Sequence, residues 1–263
     1  MRSIFLAATL AMATCLPPPP PHIPAQPPAS RDSYQYSWTL PGSQAAGSAA
    51  LTIAVVRPDW ARDSSVSAQT HKNFATGFSS SLAADLDKIL IAKGVKVSGP
   101  HASYDDITYA DKKSADLALT PTVFLTTSEV RFGAPALVGS GGVVDYVERK
   151  FSLTVQGFVE FVLVESLSRQ KLWVKKLELE PQQIQGVQAY QASPVVDPAT
   201  GATTRIDVGP VVYKGIEEAI GDAMIRWYPT IAQKAWTYLD AEEMTTLKPQ
   251  VVEIREHSGS IIR

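Results

Sequence analysis

Eight prolines lie between residues 17 and 28, and this run limits how the chain can fold more than any other feature. Each proline fixes φ near about −65° and removes a backbone donor, so the run cannot pack as helix or sheet. We expect residues 15–30 to form a stiff tether, and a leader without a structural role is the alternative. At about 3.1 Å per residue, the tether would reach roughly 40 Å.

The residues before the prolines have the pattern of an export signal. Arg2 precedes an apolar stretch over residues 4–13, and small residues lead to the single cysteine, Cys15. This pattern resembles the signal and lipobox of bacterial lipoproteins, which predicts a signal peptide over residues 1–14 and lipid on Cys15. Thr14 departs from the Gly, Ala or Ser that usually precedes the cysteine. An ordinary secretory signal that leaves a free thiol is therefore the alternative.

The position after the cysteine bears on localisation. Leu16 stands where an Asp would signal retention at the inner membrane. By resemblance to that sorting rule, we expect a lipid anchor in the outer membrane, with the protein on the cell surface or on the periplasmic face. No other apolar stretch approaches the roughly 20 residues that a membrane-spanning helix needs.

Composition excludes several classes of protein. The chain is 45% hydrophobic with a net charge of −2, which suits one domain over residues 31–248. Its single cysteine excludes an intramolecular disulfide. No basic stripe is present for nucleic acid, the four histidines are scattered singly, and no nucleophile or nucleotide motif occurs. We therefore expect a protein that is not an enzyme, with no cofactor, no metal and no nucleic-acid partner.

The first half of the domain alternates strand and helix patterns. Residues 51–57 form a short β-branched run that predicts a buried strand. Apolar residues at three- and four-residue steps over 67–93 predict a long helix, which Gly94 would end. Residues 95–97 suit a second strand, and residues 105–114 suit a small surface helix.

The second half is mostly β-prone. Three stretches, 117–132, 143–164 and 171–179, predict long strands, and the short segment 165–170 suits the loop of a hairpin. A terminal helix follows at about 214–239. We expect Pro229 to kink or divide this helix.

This order predicts an α+β fold. We expect a mixed, largely antiparallel sheet, packed against a long helix from the N-terminal half and a long C-terminal helix. Prolines and a turn signal over residues 181–213 indicate a partly ordered insertion, and residues 249–263 a C-terminal tail.

The glycine-rich segment 133–142 indicates a flexible loop between two strands. Such a loop could serve as a recognition element. The residues of the candidate binding loop are Arg131, Gly139, Gly141 and Gly142.

Two segments carry a resemblance to a known family. Residues 82–122 (LAADLDKILIAKGVKVSGPHASYDDITYADKKSADLALTPT) and 157–180 (GFVEFVLVESLSRQKLWVKKLELE) are similar to the neuraminyllactose-binding hemagglutinin family. With the leader and the terminal helix, the resemblance covers roughly residues 51–248. It implies a surface or flagellar-sheath lipoprotein of the outer membrane, acting by binding or display, with sialylated glycan as a partner.

The chain departs from that family at the element proposed to bind glycan. The family has a basic run there, whereas residues 128–142 offer only Arg131 as a cation. A sialic acid carboxylate needs an Arg or several donors arranged around it, so the sequence does not favour glycan binding. The same order of elements also suits a structural lipoprotein subunit of an envelope-spanning machine, such as a secretion system, with protein partners. Both readings stay open.

Overall fold

The computed structural model describes residues 26–27, 33–42, 49–62, 64–65, 72–140 and 142–260. The signal peptide predicted over residues 1–14, Cys15, most of the tether and Gly141 therefore lie outside the described residues.

An eight-stranded sheet organises the body. Its strands are β1 (Thr52–Val56), β2 (Asp59–Trp60), β3 (Lys96–His101), β4 (Leu117–Thr127), β5 (Arg131–Ser140), β6 (Val143–Glu165), β7 (Lys171–Val196) and β8 (Thr203–Tyr213). The order is β3-β1-β4-β6-β7-β8, with β2 paired to β4 and β5 to β6. The pairs of β1 with β3, of β1 with β4 and of β2 with β4 are parallel, and the remaining pairs are antiparallel.

The helices are α1 (Lys72–Ala92), α2 (Tyr109–Ser114), α3 (Gly215–Tyr238), α4 (Ala241–Thr245) and α5 (Lys248–Ser260). The long helices α1 and α3 pack against one face of the sheet. Alternate residues of β4 and β6 meet them there, and the fully buried members of this core include Phe78, Leu86, Leu119, Phe161 and Ile231. The predicted α+β fold, with its mixed sheet and two long helices, is confirmed.

Helix α1 ends as its sequence predicts. Gly94 adopts a φ of +80°, which glycine reaches without steric cost. The Val95 amide then donates to the Leu90 carbonyl at 3.0 Å, which satisfies a carbonyl that the last turn leaves free. The chain can therefore turn directly into β3.

Strands β6 and β7, of 23 and 26 residues, form a long hairpin whose far half extends past β4. The near half of β6 pairs with β4, from Glu165 opposite Leu117 to Val155 opposite Thr127. Beyond that point β5 pairs with β6, and β8 pairs with β7. We call the antiparallel sheet made of β5, residues 143–155, residues 182–196 and β8 the distal sheet.

Two segments predicted to be irregular belong to the distal sheet. Residues 133–142, expected as a flexible loop, form most of β5 and the turn after it. Residues 181–213, expected as a partly ordered insertion, form the far part of β7 and all of β8. Prolines and glycines are tolerated here because β5 and β8 are edge strands, and because Pro181 falls at a bulge between β6 and β7.

Three further expectations change in the C-terminal and surface helices. Residues 249–263, expected as a tail, form α5 as far as Ser260, because Val251 packs in the core. The surface helix begins at Tyr109 rather than at residue 105, and the Thr108 side chain caps it by accepting from the Asp111 amide. Helix α3 continues through Pro229 without dividing.

Residues 33–42 lie across the helices, and we call this segment the strap. The Tyr34 ring meets the Phe74 ring edge-on, with centroids 5.9 Å apart. The Tyr36 ring contacts both Phe78 of α1 and Tyr228 of α3, with centroids 5.5 and 5.2 Å away. The strap therefore packs on the helical face of the body, while Gln26 further back in the chain accepts from the Tyr146 hydroxyl of β6 at 3.3 Å.

Candidate functional site

The face of the sheet away from α1 and α3 is covered only in part. Helix α2 and the segment before it form a second, smaller core with Ala54, Val56, Ala118, Val162 and Val164, into which Tyr104 and Ile107 pack. Beyond this cover, most outward-facing side chains of β4, β6 and β7 are partly or fully exposed, whereas Tyr146 and Ala189 of the distal sheet are buried. We call this surface the open face.

A concave region of about 670 Å³ lies on the open face, and we call it the groove. Arg57 and Arg62 line it from the side of β1 and β2. Arg169 and Lys171 line it from the side of the β6–β7 hairpin. The strand residues that line it include Thr122 of β4 and Glu160 of β6, which stand opposite each other in the register.

The fold places Arg57 and Arg62 along one side of β4. Arg57 directly follows β1, and its amide donates to the His101 carbonyl at 2.9 Å. Arg62 follows β2, where the Ala61 amide donates to the Val123 carbonyl at 2.9 Å. Strands β1 and β2 run one after the other beside β4, with Val55 opposite Leu119 and Trp60 opposite Val123. Arg57 and Arg62 therefore follow each other along that side of β4.

The hairpin supplies the other two cations. Glu165 ends β6 and Lys171 begins β7, so the loop holds only five residues between them. Arg169 adopts a φ of +63° there, in the left-handed region that non-glycine residues seldom occupy. Its guanidinium lies 4.4 Å from the centroid of the Tyr104 ring, an attractive cation–π geometry. This contact orients Arg169 along the wall of the groove.

The groove cations are weakly neutralised. Arg169 and Asp105 approach to 3.8 Å, but their side chains are 60% and 82% exposed, so the pair contributes little. Arg57, Arg62 and Lys171 form no ion pair with any carboxylate in the part of the chain that the structure describes. Their charge is therefore available to a ligand.

A buried ion pair holds the hairpin loop in place. The Glu165 side chain is fully buried, and Arg255 of α5 donates from Nε to its Oε1 at 2.8 Å. The amides of Leu167 and Ser168 donate to Glu165 Oε2 at 3.0 and 2.6 Å. Burial opposes ionisation, but the hydrogen bonds from Ser168 and Arg255 outweigh it and lower the pKa of Glu165.

The same arginine ties the hairpin to α2. Arg255 Nη2 donates to the Ala115 carbonyl at 2.6 Å and to Ser166 Oγ at 2.8 Å. The Tyr104 hydroxyl donates to the Ser166 carbonyl at 2.6 Å, and burial raises the pKa of Tyr104 above its ordinary value. Helix α5, the hairpin loop and the segment before α2 are thus one hydrogen-bonded unit that positions Arg169.

The predicted binding residues are not brought together. Arg131 lines a separate cleft of about 240 Å³, together with Glu129, Ser152, Thr154 and Gln183. Gly139 lies near the opposite end of the ten-residue β5, where an added Cβ would overlap the Val143 carbonyl. Gly142 forms the turn after β5 with a φ of +80°. Those two glycines therefore serve the β5–β6 turn, whereas Arg131 lines the cleft.

Sequence reasoning missed the groove because its charged residues are far apart in the chain. Arg57 and Arg62 are separated from Arg169 and Lys171 by more than a hundred positions. No local pattern joins them, since Arg57 follows the carboxyl end of β1 whereas Lys171 stands at the amino end of β7.

Two further findings concern metal ligands and membrane-spanning helices. Within the described ranges, no three or more His, Cys, Asp and Glu side chains are placed to hold a metal ion. None of the helices among these residues is long and apolar enough to span a membrane.

No protein-family model matches the chain, and comparison with curated proteins finds no match. Among solved structures, the chain is similar to a neuraminyllactose-binding hemagglutinin homolog from Helicobacter pylori, at 15% identity and a TM-score of 0.52. That likeness covers 84% of this chain and 99% of the other. A protein from Xanthomonas campestris is 12% identical with a TM-score of 0.33, covering 83% and 99% of the two chains.

The comparison at 0.52 shows a shared fold at a large distance in sequence. The protein is thus an α+β body of the type seen in that hemagglutinin homolog. The resemblance seen in the sequence is confirmed at the level of the fold.

Proposed function

We propose that this protein is a non-catalytic lipoprotein of the outer membrane that acts by binding and display. Lipid on Cys15 fixes its location, residues 15–30 set the distance from the membrane, and the folded body presents a binding face. The lipobox-like pattern around Cys15 supports the anchor. The fold shared with a hemagglutinin homolog supports binding rather than catalysis.

The proposal of display rests on where the strap and the groove lie on the body. Tyr34 and Tyr36 pack on α1 and α3, so the strap covers the helical face of the body. The open face and its groove lie on the other side of the sheet, since Thr122 alternates with Val123 of the helical core. Before the strap, the Tyr146 hydroxyl of β6 donates to the Gln26 carbonyl at 3.3 Å, far along that strand from Glu160 of the groove. Neither the strap nor this contact covers the groove, which stays open to a partner.

Sialylated glycan is the partner that the hemagglutinin resemblance suggests. The cleft around Arg131 offers one cation to a sialic acid carboxylate, and Glu129 lines the same cleft. A carboxylate in such a site would meet repulsion as well as attraction. We therefore place the binding function on the open face and treat the Arg131 cleft as the minor candidate.

Membrane fractionation tests the anchor. The wild-type protein should sediment with the outer membrane and enter the detergent phase, whereas Cys15→Ser should remain in the soluble fraction. Thr14→Ala is a matched control, because it restores a usual lipobox residue beside an intact Cys15. That variant should fractionate like the wild type. A Cys15→Ser protein that still partitions with the outer membrane would overturn the lipid anchor.

A second candidate function is a structural subunit of an envelope-spanning machine, such as a secretion system. The observation that favours it is the pair of edge strands β5 and β8, which bound opposite edges of the distal sheet. Exposed apolar side chains lie on both strands, including Leu137 on β5 and Val212 on β8. Open edges of this kind pair readily with other chains.

Cross-linking on native membranes separates the two candidates. A display protein should be purified alone and should be cleaved by protease on intact cells. A machine subunit should be protected from protease and should be purified with partners in fixed ratio. Loss of those partners on Leu137→Lys would assign them to the edge of β5.

A further inference from the structure

We propose that the groove binds an oxyanion, a phosphate or carboxylate group on a polar ligand, between Arg57 and Arg62 on one side and Arg169 and Lys171 on the other. This inference rests on the proposed function only in taking the open face as the binding face. It does not depend on the lipid anchor. The site is also distinct from the Arg131 cleft, which lies at the start of β5.

The order of strands places the two pairs of cations on either side of β4. Arg57 and Arg62 follow β1 and β2, whereas Arg169 and Lys171 belong to the hairpin of β6 and β7. Acidic groups of a ligand lying in the groove would receive charge-assisted hydrogen bonds from the cations that line either side. Guanidinium groups suit this role because their planar donors match carboxylate and phosphate oxygens in pairs.

Three carboxylates also line the groove, and their contacts leave the cations free. Asp59 Oδ1 accepts from the Trp60 amide at 2.8 Å, so that carboxylate caps its own backbone. Asp105 faces Arg169 at 3.8 Å, beyond hydrogen-bond distance. Glu160 lies on the strand opposite Thr122, where it can accept hydrogen bonds from ligand hydroxyl or amide groups.

The hairpin side of the groove is held in position before any ligand arrives. Arg169 lies against the Tyr104 ring, and the Tyr104 hydroxyl is fixed by the Ser166 carbonyl. Arg255 fixes Ser166 and Glu165 in turn. Because the wall is already ordered, binding loses less conformational entropy than it would at a mobile loop.

The size of the groove indicates more than a free ion. A volume of about 670 Å³ lies within the range of small-molecule sites and exceeds the space that one phosphate or carboxylate fills. The remaining lining offers the hydrogen-bonding groups of Thr122 and Glu160 beside apolar residues such as Val162. The ligand that fits is therefore polar along its body and acidic at one or more positions.

Binding of defined polymers to the full-length protein, purified in detergent, tests this site. The probes are polyphosphate, polygalacturonate and neutral dextran, each measured by biolayer interferometry at low and high salt. We expect one or both acidic polymers to bind and dextran not to bind. Polyphosphate alone would identify phosphate as the group recognised, and polygalacturonate alone would identify carboxylate. No binding of either acidic polymer, or equal binding of dextran, would overturn the proposal.

Matched variants separate the groove from general charge attraction. Arg57→Gln with Arg62→Gln removes two exposed cations from the groove, and Arg205→Gln with Lys234→Gln removes two exposed cations elsewhere. We expect the groove pair to weaken binding by about tenfold or more, as lost charge-assisted hydrogen bonds do, and the control pair by less than about twofold. Equal weakening by both pairs would contradict a site in the groove. Fractionation of the Arg57→Gln, Arg62→Gln variant with the outer membrane tests the lipid anchor separately. A failure of the groove proposal would therefore not contradict the proposed anchor.

Discussion

The ring of Tyr34 occupies the space beside Gly221 of α3 that a Cβ atom would fill. An added methyl group there would overlap Cε1 of Tyr34. Tyr34 is 8% exposed and belongs to the main hydrophobic core. A residue that follows a proline-rich segment is thus built into the folded body, and a glycine on α3 permits it.

Gly221→Ala should release the strap. The new methyl group forces Tyr34 out of its site, and overpacking of this kind costs about 1–3 kcal/mol of unfolding free energy. Chemical denaturation measures that loss, and limited proteolysis at the strap should become faster. Gly77→Ala is the matched control, because an added Cβ there meets the Tyr36 ring at an ordinary 3.4 Å. Equal effects of the two substitutions would contradict the role assigned to Tyr34.

A hydrogen bond between the long helices gives the second prediction. The Tyr228 hydroxyl of α3 donates to Asp85 Oδ2 of α1 at 2.7 Å in the buried core, and Lys88 also contacts Asp85 at 2.9 Å. Tyr228→Phe leaves the buried carboxylate without this donor, which should cost about 1–3 kcal/mol. Denaturant titration measures the cost. Tyr238→Phe on the same helix is the control, and a similar loss there would count against the specific bond.

Alkaline pH should weaken the fold through the buried tyrosines. Burial, followed by the hydrogen bond to Asp85, raises the pKa of Tyr228 above its ordinary value, and burial raises the pKa of Tyr36. A folded pKa above the unfolded value means that this stability is fully present below about pH 10 and is lost as pH rises beyond it. Thermal denaturation at increasing pH should show the decline. Tyr228→Phe should reduce its steepness, and an unchanged slope would refute the assignment.

The buried ion pair between Arg255 and Glu165 gives a prediction for the hairpin. Arg255→Gln leaves the fully buried Glu165 without its cationic partner, and breaking such a pair costs about 3 kcal/mol or more. Because contacts to Arg255 and Ser168 lower the pKa of Glu165, the stability it contributes is present above the unfolded pKa of about 4.3 and is lost on acidification.

Denaturation of Arg255→Gln at neutral and acidic pH measures both effects. The difference in unfolding free energy between the variant and the wild type should mostly disappear at low pH, because Glu165 is then protonated in both proteins. Glu256→Gln, at an exposed neighbour on α5, should change stability by less than about 0.5 kcal/mol. A difference in stability between Arg255→Gln and the wild type that is independent of pH would contradict this role of the ion pair.

The sequence predicted the fold class because its strongest periodic segments are also its main core elements. The spacing of Phe74, Phe78, Leu82 and Leu86 indicates one buried helical face, and α1 places those residues in the core. The five residues between β6 and β7 likewise give a hairpin. These features are local, so periodicity and turn length are sufficient to predict them.

The distal sheet and the groove depend on contacts that local patterns do not encode. Glycine and proline normally mark loops, but in β5 they occupy an edge strand whose pairing with β6 outweighs their low β propensity. Helix α5 has weak amphipathicity and is fixed by Arg255 binding Glu165, ninety positions away. The groove likewise requires Arg57 and Arg169 to line one concave region from either side of β4, which the strand order determines.

The first measurement we would make is mass spectrometry of the N-terminal peptide of the mature protein, extracted from membranes in detergent. The proposed function predicts that the peptide begins at Cys15 and carries diacylglycerol on its sulfur. A mature chain that begins elsewhere, or that begins at Cys15 with an unmodified thiol, would contradict a lipid-anchored protein.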